Sequence, residues 1–509
     1  MRKKVLVLDF GAQYSQLIAR RVREFGVYCE IVDYHTPIDK LKSEEIEALI
    51  LSGGPSSVNE SDAPRISKEI FNLGKPVLGI CYGMQLMSSL LGGSVVESKT
   101  KEYGHSKINI SQKDILFQNI PDSLNVWMSH GDIVQTPPEG FVVNAKSENN
   151  LIAAISNESK KFYAVQFHPE VTHTDFGKEI LKNFIFKVCG ISQNWSMEQF
   201  IEEKITEIRQ QVSDKIIVTA VSGGVDSTVM AVLLSKAVGK NLHCIFVNNG
   251  VLRKNEAEEV LDMYKELGID VDYIDASDLF LKKLRGISSP EKKRKIIGKT
   301  FIKVFFKRAG KMDFLAQGTL YPDVIESVSV KGPSSTIKTH HNRVKEVLNL
   351  MKENKVVEPF SELFKDEVRE IGQKLNLPEK VIWRQPFPGP GLAIRIISDV
   401  TPEKVKVLQE SDYIVRKELE GKFSYDQIWQ AFAVLLPVKS VGVMGDKRTY
   451  ENVITLRIVQ SVDGMTANWV DIPEEILRKI SNRIINEVQG VNRVVYDISS
   501  KPPSTIEWE

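Results

Sequence analysis

The chain has 509 residues, of which 42% are hydrophobic and 26% charged, and its formal net charge is +1. A chain this long can bury large cores without disulfide or metal staples, about 150 residues per domain suggests three domains, and the near-zero charge gives no global field for nucleic acid or a membrane surface. Its four cysteines, Cys29, Cys81, Cys189 and Cys244, form no C-x-x-C pair and suit neither a zinc site nor a disulfide framework, which points to a reducing compartment.

The N-terminal apolar run reaches only Asp9, too short for a signal-peptide core. No apolar stretch approaches the ~20 residues of a membrane span, so a cytoplasmic location is expected. From the start to about residue 190, short β-rich runs alternate with helical spacing. Val5–Asp9, Ala48–Leu51, Val77–Ile80, Ile108–Ile110 and Phe162–Phe167 read as strands, and Tyr14–Phe25 as a helix. The alternation predicts a mainly parallel sheet covered by helices, an α/β domain. Residues Cys189–Trp195 (CGISQNW) have the chemistry of a linker. A second α/β unit follows: strands at Ile216–Val221, Leu242–Val247 and Val271–Ile274, with helices at Ser227–Val238 and Glu256–Leu267. That β-α-β-α-β order predicts a doubly wound sheet with its ligand at the carboxyl ends of the strands. At Arg384–Ala393, RQPFPGPGLA reads as a rigid, extended loop. Beyond it, strands at Val453–Val459 and Val494–Ile498 and a helix at Glu474–Val488 suggest a smaller α+β domain. The expected domains are therefore 1–190, 196–385 and 386–509.

Residues 77–85 read VLGICYGMQ. Gly79-Ile80-Cys81-Tyr82-Gly83 is a thiol version of the strand–turn–helix nucleophile elbow. Its glycines permit the sharp turn, and a helix N-terminus favours thiolate over thiol. Residues 162–170, FYAVQFHPE, end a strand with His168 and Glu170 two apart, so an extended backbone points both the same way. A cysteine needs a base, and the base needs an orienting carboxylate; these two residues supply both. A buried structural cysteine and an isolated histidine are the bland alternatives, and the combination disfavours them. On these motifs, residues 1–190 resemble the class I glutamine amidotransferases. The resemblance implies that Cys81 attacks the glutamine side-chain amide, with His168 and Glu170 completing the catalytic set. It further implies an oxyanion loop at Ser52-Gly53-Gly54-Pro55, with the Gly54 and Tyr82 amides as donors, and glutamine held by Gln85 and Ser129-His130-Gly131-Asp132.

Residues 216–228, IIVTAVSGGVDST, run a buried strand into Ser222-Gly223-Gly224-Val225-Asp226-Ser227 and then Thr228 at a helix start. Glycine-rich backbone and a helix N-terminus together suit an anion. A Walker A pattern fails, because the position for its first glycine, before Gly298-Lys299-Thr300, holds Lys293. The loop resembles that of the N-type ATP pyrophosphatases, which implies ATP as substrate, adenylylation of a carbonyl oxygen, and Asp226 holding Mg²⁺ beside the pyrophosphate. Leu315–Asp323 and Lys365-Asp366-Glu367 fit the same family, as does a lid at residues 331–342. A metal at His340 and His341 lacks carboxylate or cysteine at ligand spacing.

Residues 282–311 carry twelve Lys or Arg. They read as a solvated helix face or a phosphate-recognising stretch; without an RNA-binding module or aromatic interleaving, a mononucleotide is favoured over RNA. The ending DISSKPPSTIEWE and RQPFPGPGLAIR at 384–395 closely resemble the GMP synthetase family. Asparagine synthetases would need an N-terminal cysteine where Met1-Arg2 stands, and glutamine-dependent NAD synthetases carry a nitrilase-type domain. The resemblance implies a ligase that frees ammonia from glutamine, adenylylates xanthosine monophosphate (XMP) with ATP and aminates it to GMP. It implies XMP contacts at Arg294, Gln430, Arg493, Lys501, Ile506 and Glu507, and a homodimer formed through the third domain. It leaves no role for nucleic acid or membrane. The rivals are a loop ligase with another acceptor and a non-catalytic nucleotide sensor; the latter would not need the complete nucleophile set.

Overall fold

The run Lys-Val-Leu-Val-Leu-Asp makes strand β1 (Lys4–Asp9), whose four central residues are all buried. Apolar residues on both faces mark a strand covered on both sides, as parallel strands under crossover helices must be. In the computed structural model, which describes residues 2–12, 14–328, 345–461, 464 and 466–509, β1 belongs to the first of two units: Met1–Phe200 with Pro322–Lys338, and Ile201–Tyr321 with Thr339–Glu509.

The first unit carries β1, β2 (Cys29–Asp33), β3 (Ile46–Leu51), β4 (Val77–Ile80), β5 (Ser94–Ile110), β6 (Ser123–Thr136), β7 (Val142–Ser147), β8 (Ile152–Asn157) and β9 (Phe162–Val165). They form one sheet in the order β2-β1-β3-β4-β9-β8-β7-β5-β6. Only the half from β2 to β9 is parallel; β8, β7, β5 and β6 continue it antiparallel. Of this second half the sequence showed one short run, because half-exposed strands alternate and break the apolar pattern. Phe10, Leu49, Leu51, Tyr82, Met84 and Met87 pack one face of the parallel half against the helix Tyr82–Leu90. The CGISQNW stretch is docked: Asn194 accepts from the Tyr28 amide and donates to Lys3 O, Gln193 donates to Phe25 O, and Trp195 is buried against Tyr28.

The second unit holds an all-parallel sheet of β10 (Ile217–Val221), β11 (Leu242–Asn248), β12 (Val271–Asp275), β13 (Phe314–Ala316) and β14 (Val356–Val357), in the order β12-β11-β10-β13-β14. The chain order reverses between β10 and β13, which opens a crevice at their carboxyl ends. A second sheet joins β15 (Gln430–Met444), β16 (Lys447–Gln460), β17 (Asn468–Trp469) and β18 (Val491–Tyr496), with β15 and β17 antiparallel and β18 parallel to β16. Helices Pro402–Leu419 and Glu474–Glu487 accompany it. One apolar core is continuous from Val218 and Ile245 through Leu392 and Leu408 to Ile454 and Ile484, so the two sheets share their interior. The RQPFPGPG stretch has no helix or strand before a single 3₁₀ turn at Gly391–Arg395.

Candidate functional sites

Cys81 stands between β4 and the helix Tyr82–Leu90 at φ +52°, ψ −106°, a backbone conformation that costs of order 1–3 kcal/mol and persists only where packing over-determines it. The surrounding packing supplies that constraint. A Cβ on Gly83 would lie 2.3 Å from Leu51 O, so the helix start can press against β3 only with glycine there. Cys81 N donates to Val165 O on the neighbouring strand, and Gly83 N to Ser52 O.

The chain just past β9, which ends at Val165, brings His168 beside Cys81, close enough for the two side chains to interact electrostatically. His168 Nδ1 lies 2.7 Å from Glu170 Oε1, and both side chains are buried. The second carboxylate oxygen of Glu170 has no hydrogen-bond partner. Burial works against a charged ring, yet the Glu170 carboxylate and then the Cys81 side chain hold His168 well above the ordinary imidazole range. The backbone of His168 is pinned by Trp127 O and the Thr174 hydroxyl. Tyr14 meets the imidazole edge-on at 5.2 Å; no motif in the sequence signalled it.

Gly53 lies beside both reactive groups: a Cβ there would be 3.1 Å from His168 Cε1 and 3.8 Å from Cys81 Cβ. Ser52 is buried and bonds the Phe10 amide, and Gly54 packs against Phe10 and the Tyr82 ring. Ser129–Asp132 lies in β6, opposite a bulge in β5, rather than in a turn. Ser129 O is 3.7 Å from Cys81 Sγ. The amide nitrogen of Gln85 donates to Asp132 O, and Ser57 Oγ donates to the Asp132 carboxylate. His130 is buried, with one ring nitrogen 3.0 Å from Asp132 O and the other 3.2 Å from Glu102, so it shapes the Asp132 backbone from behind. Burial raises the Glu102 pKa, but hydrogen bonds from His130, Asn149 and Ser147 hold it below the usual carboxylate range.

In the second unit the loop Ser222–Ser227 leaves β10 and enters the helix Val225–Val238. Gly223 has φ +72°, and a Cβ there would meet Val260 at 2.3 Å and Arg384 at 2.8 Å. Arg384 donates to Gly223 O at 2.8 Å and pairs with Glu256. The hydroxyls turn inward: Ser222 and Ser227 lie 3.1 Å apart, and Ser227 and Thr228 both donate to Gly224 O. Asp226 Oδ1 is buried with no hydrogen-bond partner, while Oδ2 lies 3.5 Å from Lys365 Nζ. Val225 is buried and anchors the helix start. The loop, Arg294, Lys365, Gln317, Arg384 and Pro386–Pro390 line a cleft of about 490 Å³. Glu367 caps the helix Lys365–Lys374 by accepting from the Phe364 amide. The segment 331–342, with His340 and His341, lies outside the described residues.

The C-terminal residues gather around buried arginines that the sequence did not single out. Glu507 accepts two hydrogen bonds from Arg395, at 2.7 and 3.0 Å, and one from Gln430 at 3.1 Å. Arg457, fully buried, donates to the carbonyls of Ser499, Thr505 and Ile506. Lys293, also fully buried, donates to Ile396 O and Glu509, and Arg294 donates to Glu509 O. Burial pulls the Lys293 pKa down, against the pull of Glu509. Ile506 is buried beside Phe432 and Val434. Lys501 donates to Gly464 O. Arg493, exposed on β18, donates to the Ser440 hydroxyl. Ser440 and Gln430 lie ten residues apart along β15, roughly 30 Å at strand rise, so Arg493 does not join the Gln430–Glu507 group within this chain.

Residues 6–188 match the sequence model of the family described as glutamine amidotransferase class-I, residues 195–319 that of NAD synthase, and residues 417–508 that of the GMP synthase C terminal domain. Curated proteins similar to the chain include the glutamine-hydrolyzing GMP synthases of Chlorobium chlorochromatii and Aquifex aeolicus. Each is 56% identical over 513 aligned residues covering 100% of both chains. That of Brachyspira hyodysenteriae is 56% identical over 99% of both. With a cysteine elbow, a glycine anion loop and this end-to-end similarity, the chain belongs to the glutamine-hydrolysing GMP synthase family.

Proposed function

We propose that the two sites divide the labour of this family's reaction, glutamine-fed amination of XMP to GMP at the expense of ATP, with Cys81 releasing the nitrogen and the Ser222–Thr228 loop holding the ATP diphosphate. The observation that carries the reading is the Cys81–His168–Glu170 set on its strained elbow. The Cys81 thiolate attacks the glutamine carboxamide carbon. The oxyanion that forms is stabilised by the Gly54 and Tyr82 amides, where fixed donors act most strongly. His168 gives its proton to the departing ammonia, leaving a thioester, and then takes a proton from the water that releases glutamate. Gln85 and Ser129–Asp132 hold the glutamine.

At the second site the XMP carbonyl oxygen displaces pyrophosphate from the α-phosphorus of ATP; ammonia then attacks the adenylylated carbon and AMP leaves. Ser222, Ser227 and Thr228 exchange their internal hydrogen bonds for phosphate oxygens, supported by the loop amides and the helix N-terminus. The orphaned buried oxygen of Asp226 fits a hard cation, and Mg²⁺ held there would neutralise charge on the pyrophosphate. Glu507, Gln430 and Ile506 are gathered for a nucleotide, with Arg294, Lys501 and Arg493 as further XMP contacts. Val441, Val443 and Tyr450 are 46%, 74% and 62% exposed on the hairpin of β15 and β16, which fits a homodimer formed through residues 386–509. Residues 1–190 are then the glutaminase and 196–385 the ATP pyrophosphatase. Among the described residues no helix is long and apolar enough to cross a membrane; the substrates point to the cytoplasm.

The test supplies ATP, XMP and either glutamine or an ammonium salt, and follows GMP, AMP and pyrophosphate by chromatography. Equal amounts of all three from both nitrogen sources are expected. ADP and phosphate in place of AMP and pyrophosphate would remove the loop assignment.

A further inference from the structure

A second cleft of about 750 Å³ in the second unit shares Arg384 and Gln385 with the phosphate-loop cleft, but is otherwise lined by other residues, among them Arg253, Glu259, Asp262, Trp383, Arg416 and Tyr425. Its volume lies within the range of about 300–1,000 Å³ that holds a small ligand. At its wall the Arg253 side chain is 4% exposed, and both Nε and Nη2 lack hydrogen-bond partners. Its nearest carboxylate oxygen, on Asp412, is 3.5 Å away and is already bonded to Arg416 at 3.1 Å. Arg416 Nη2 is also buried without a partner. Four guanidinium groups, Arg253, Arg384, Arg395 and Arg416, share three carboxylates, Glu256, Asp412 and Glu507. Burial pulls the Arg253 pKa down to about 10, so Asp412 does not fully compensate it. Buried guanidinium charge in excess of its carboxylates is costly, and an anion in the cleft that Arg253 and Arg416 line would offset it.

The rest of the lining describes what the anion carries. Trp383 is 40% exposed, its ring 5.5 Å from Tyr425, and the Arg369 guanidinium lies over both. A flat ring can stack there. Lys380 pairs with Glu266 and Lys417 with Glu420. Glu259 and Asp262, on the helix Glu256–Glu266, add carboxylates that accept N–H donors and repel a second anionic group. We propose that this cleft is a second nucleotide site, taking a purine nucleoside monophosphate whose phosphate meets Arg253 and Arg416, whose base stacks on Trp383, and whose ring N–H groups face Glu259 and Asp262. Arg384 would connect it to the phosphate loop through Gly223 O.

The experiment uses the full-length chain with the loop cleft filled by XMP and a non-hydrolysable ATP analogue. GMP, or inorganic phosphate in a parallel arm, is titrated while tryptophan fluorescence is followed. A saturable change with GMP is expected, lost in Trp383→Phe and shifted at least about tenfold to higher concentration in Arg416→Gln, with kcat unchanged in both. Glu259→Gln with Asp262→Asn should weaken GMP and leave phosphate alone. A change that survives in Trp383→Phe, an unshifted Arg416→Gln curve, or no saturable change at all would overturn the proposal. Phosphate binding as tightly as GMP would overturn the nucleotide part and leave an anion site.

Discussion

Cys81 and Asp226 sit in equivalent places, each at the turn from a buried parallel strand into a helix, yet their surroundings are prepared differently. The Cys81 elbow is complete without substrate: its strained backbone is held by β4, by Gly83 against β3, and by a histidine already paired with Glu170. The Ser222–Thr228 loop satisfies itself, with its hydroxyls bonded to one another and to Gly224 O and one oxygen of Asp226 left over. Attack on an amide depends on a nucleophile and a base held in register before the substrate arrives. Gripping a diphosphate asks instead for donors that can change partners, because the ligand brings the charge that the loop is built to meet.

The sharpest way to break that comparison is to remove one centre at a time. Cys81→Ala should lower glutamine-driven GMP synthesis by about 10⁴-fold or more, because no other group supplies the covalent step. Synthesis from ammonium salts should stay within about twofold, since oxyanion and base chemistry belong to the first unit only. Loss of both activities would show that the centres are not separable. Asp226→Asn should cut both routes by about 10³-fold through weakened charge neutralisation at the diphosphate. Retained ammonia-driven activity would exclude Asp226 from the mechanism.

Glu170→Gln sharpens the claim that the first centre is preformed. The carboxylate favours the charged ring, and a neutral amide does not, so the mutant's His168 pKa must fall. The limb of the glutaminase pH profile that reports His168 should move toward lower pH, and kcat/KM should drop by about 10²-fold, the scale of a misdirected general base. A profile that keeps its position would mean that Glu170 does not set the protonation of the ring.

What the sequence revealed follows the same division. Both turns were legible because their chemistry is local: a few consecutive residues fix a glycine-permitted turn, a reactive side chain and a helix start. His168 and Glu170 were legible as a pair two apart after a strand run, but not for the reason the pattern offered: the strand ends at Val165, and the pair meets in the turn that follows rather than on extended backbone. The antiparallel half of the first sheet was largely hidden, since β5 and β6 alternate and carry polar residues such as Glu102 and His130, whose burial depends on partners distant in sequence, each other among them. The Ser, Gln and Asn of CGISQNW read as linker chemistry, but Gln193 and Asn194 use the same polar groups to dock on the sheet. Arg253, Arg395 and Arg457 were invisible for a related reason. A lone arginine in a sequence reads as surface charge, and its burial depends on carboxylates and carbonyls roughly 50 to 160 residues away.

Arg395→Lys carries the smallest effect and bears directly on the second centre. Arg395 is fully buried, stacks 3.9 Å from the Phe432 ring and holds both oxygens of Glu507. A planar guanidinium fixes the carboxylate plane, and an ammonium at the same place gives charge without that orientation. If Glu507 meets the XMP base or ribose, the variant should raise the KM for XMP by about tenfold, the equivalent of one weakened charge-assisted hydrogen bond. The KM for glutamine and the ammonia-driven kcat at saturating XMP should remain within about twofold. A variant that instead lowers kcat with an unchanged KM would place Glu507 in the adenylylation step, and the second centre would then be more preformed than its loop suggests.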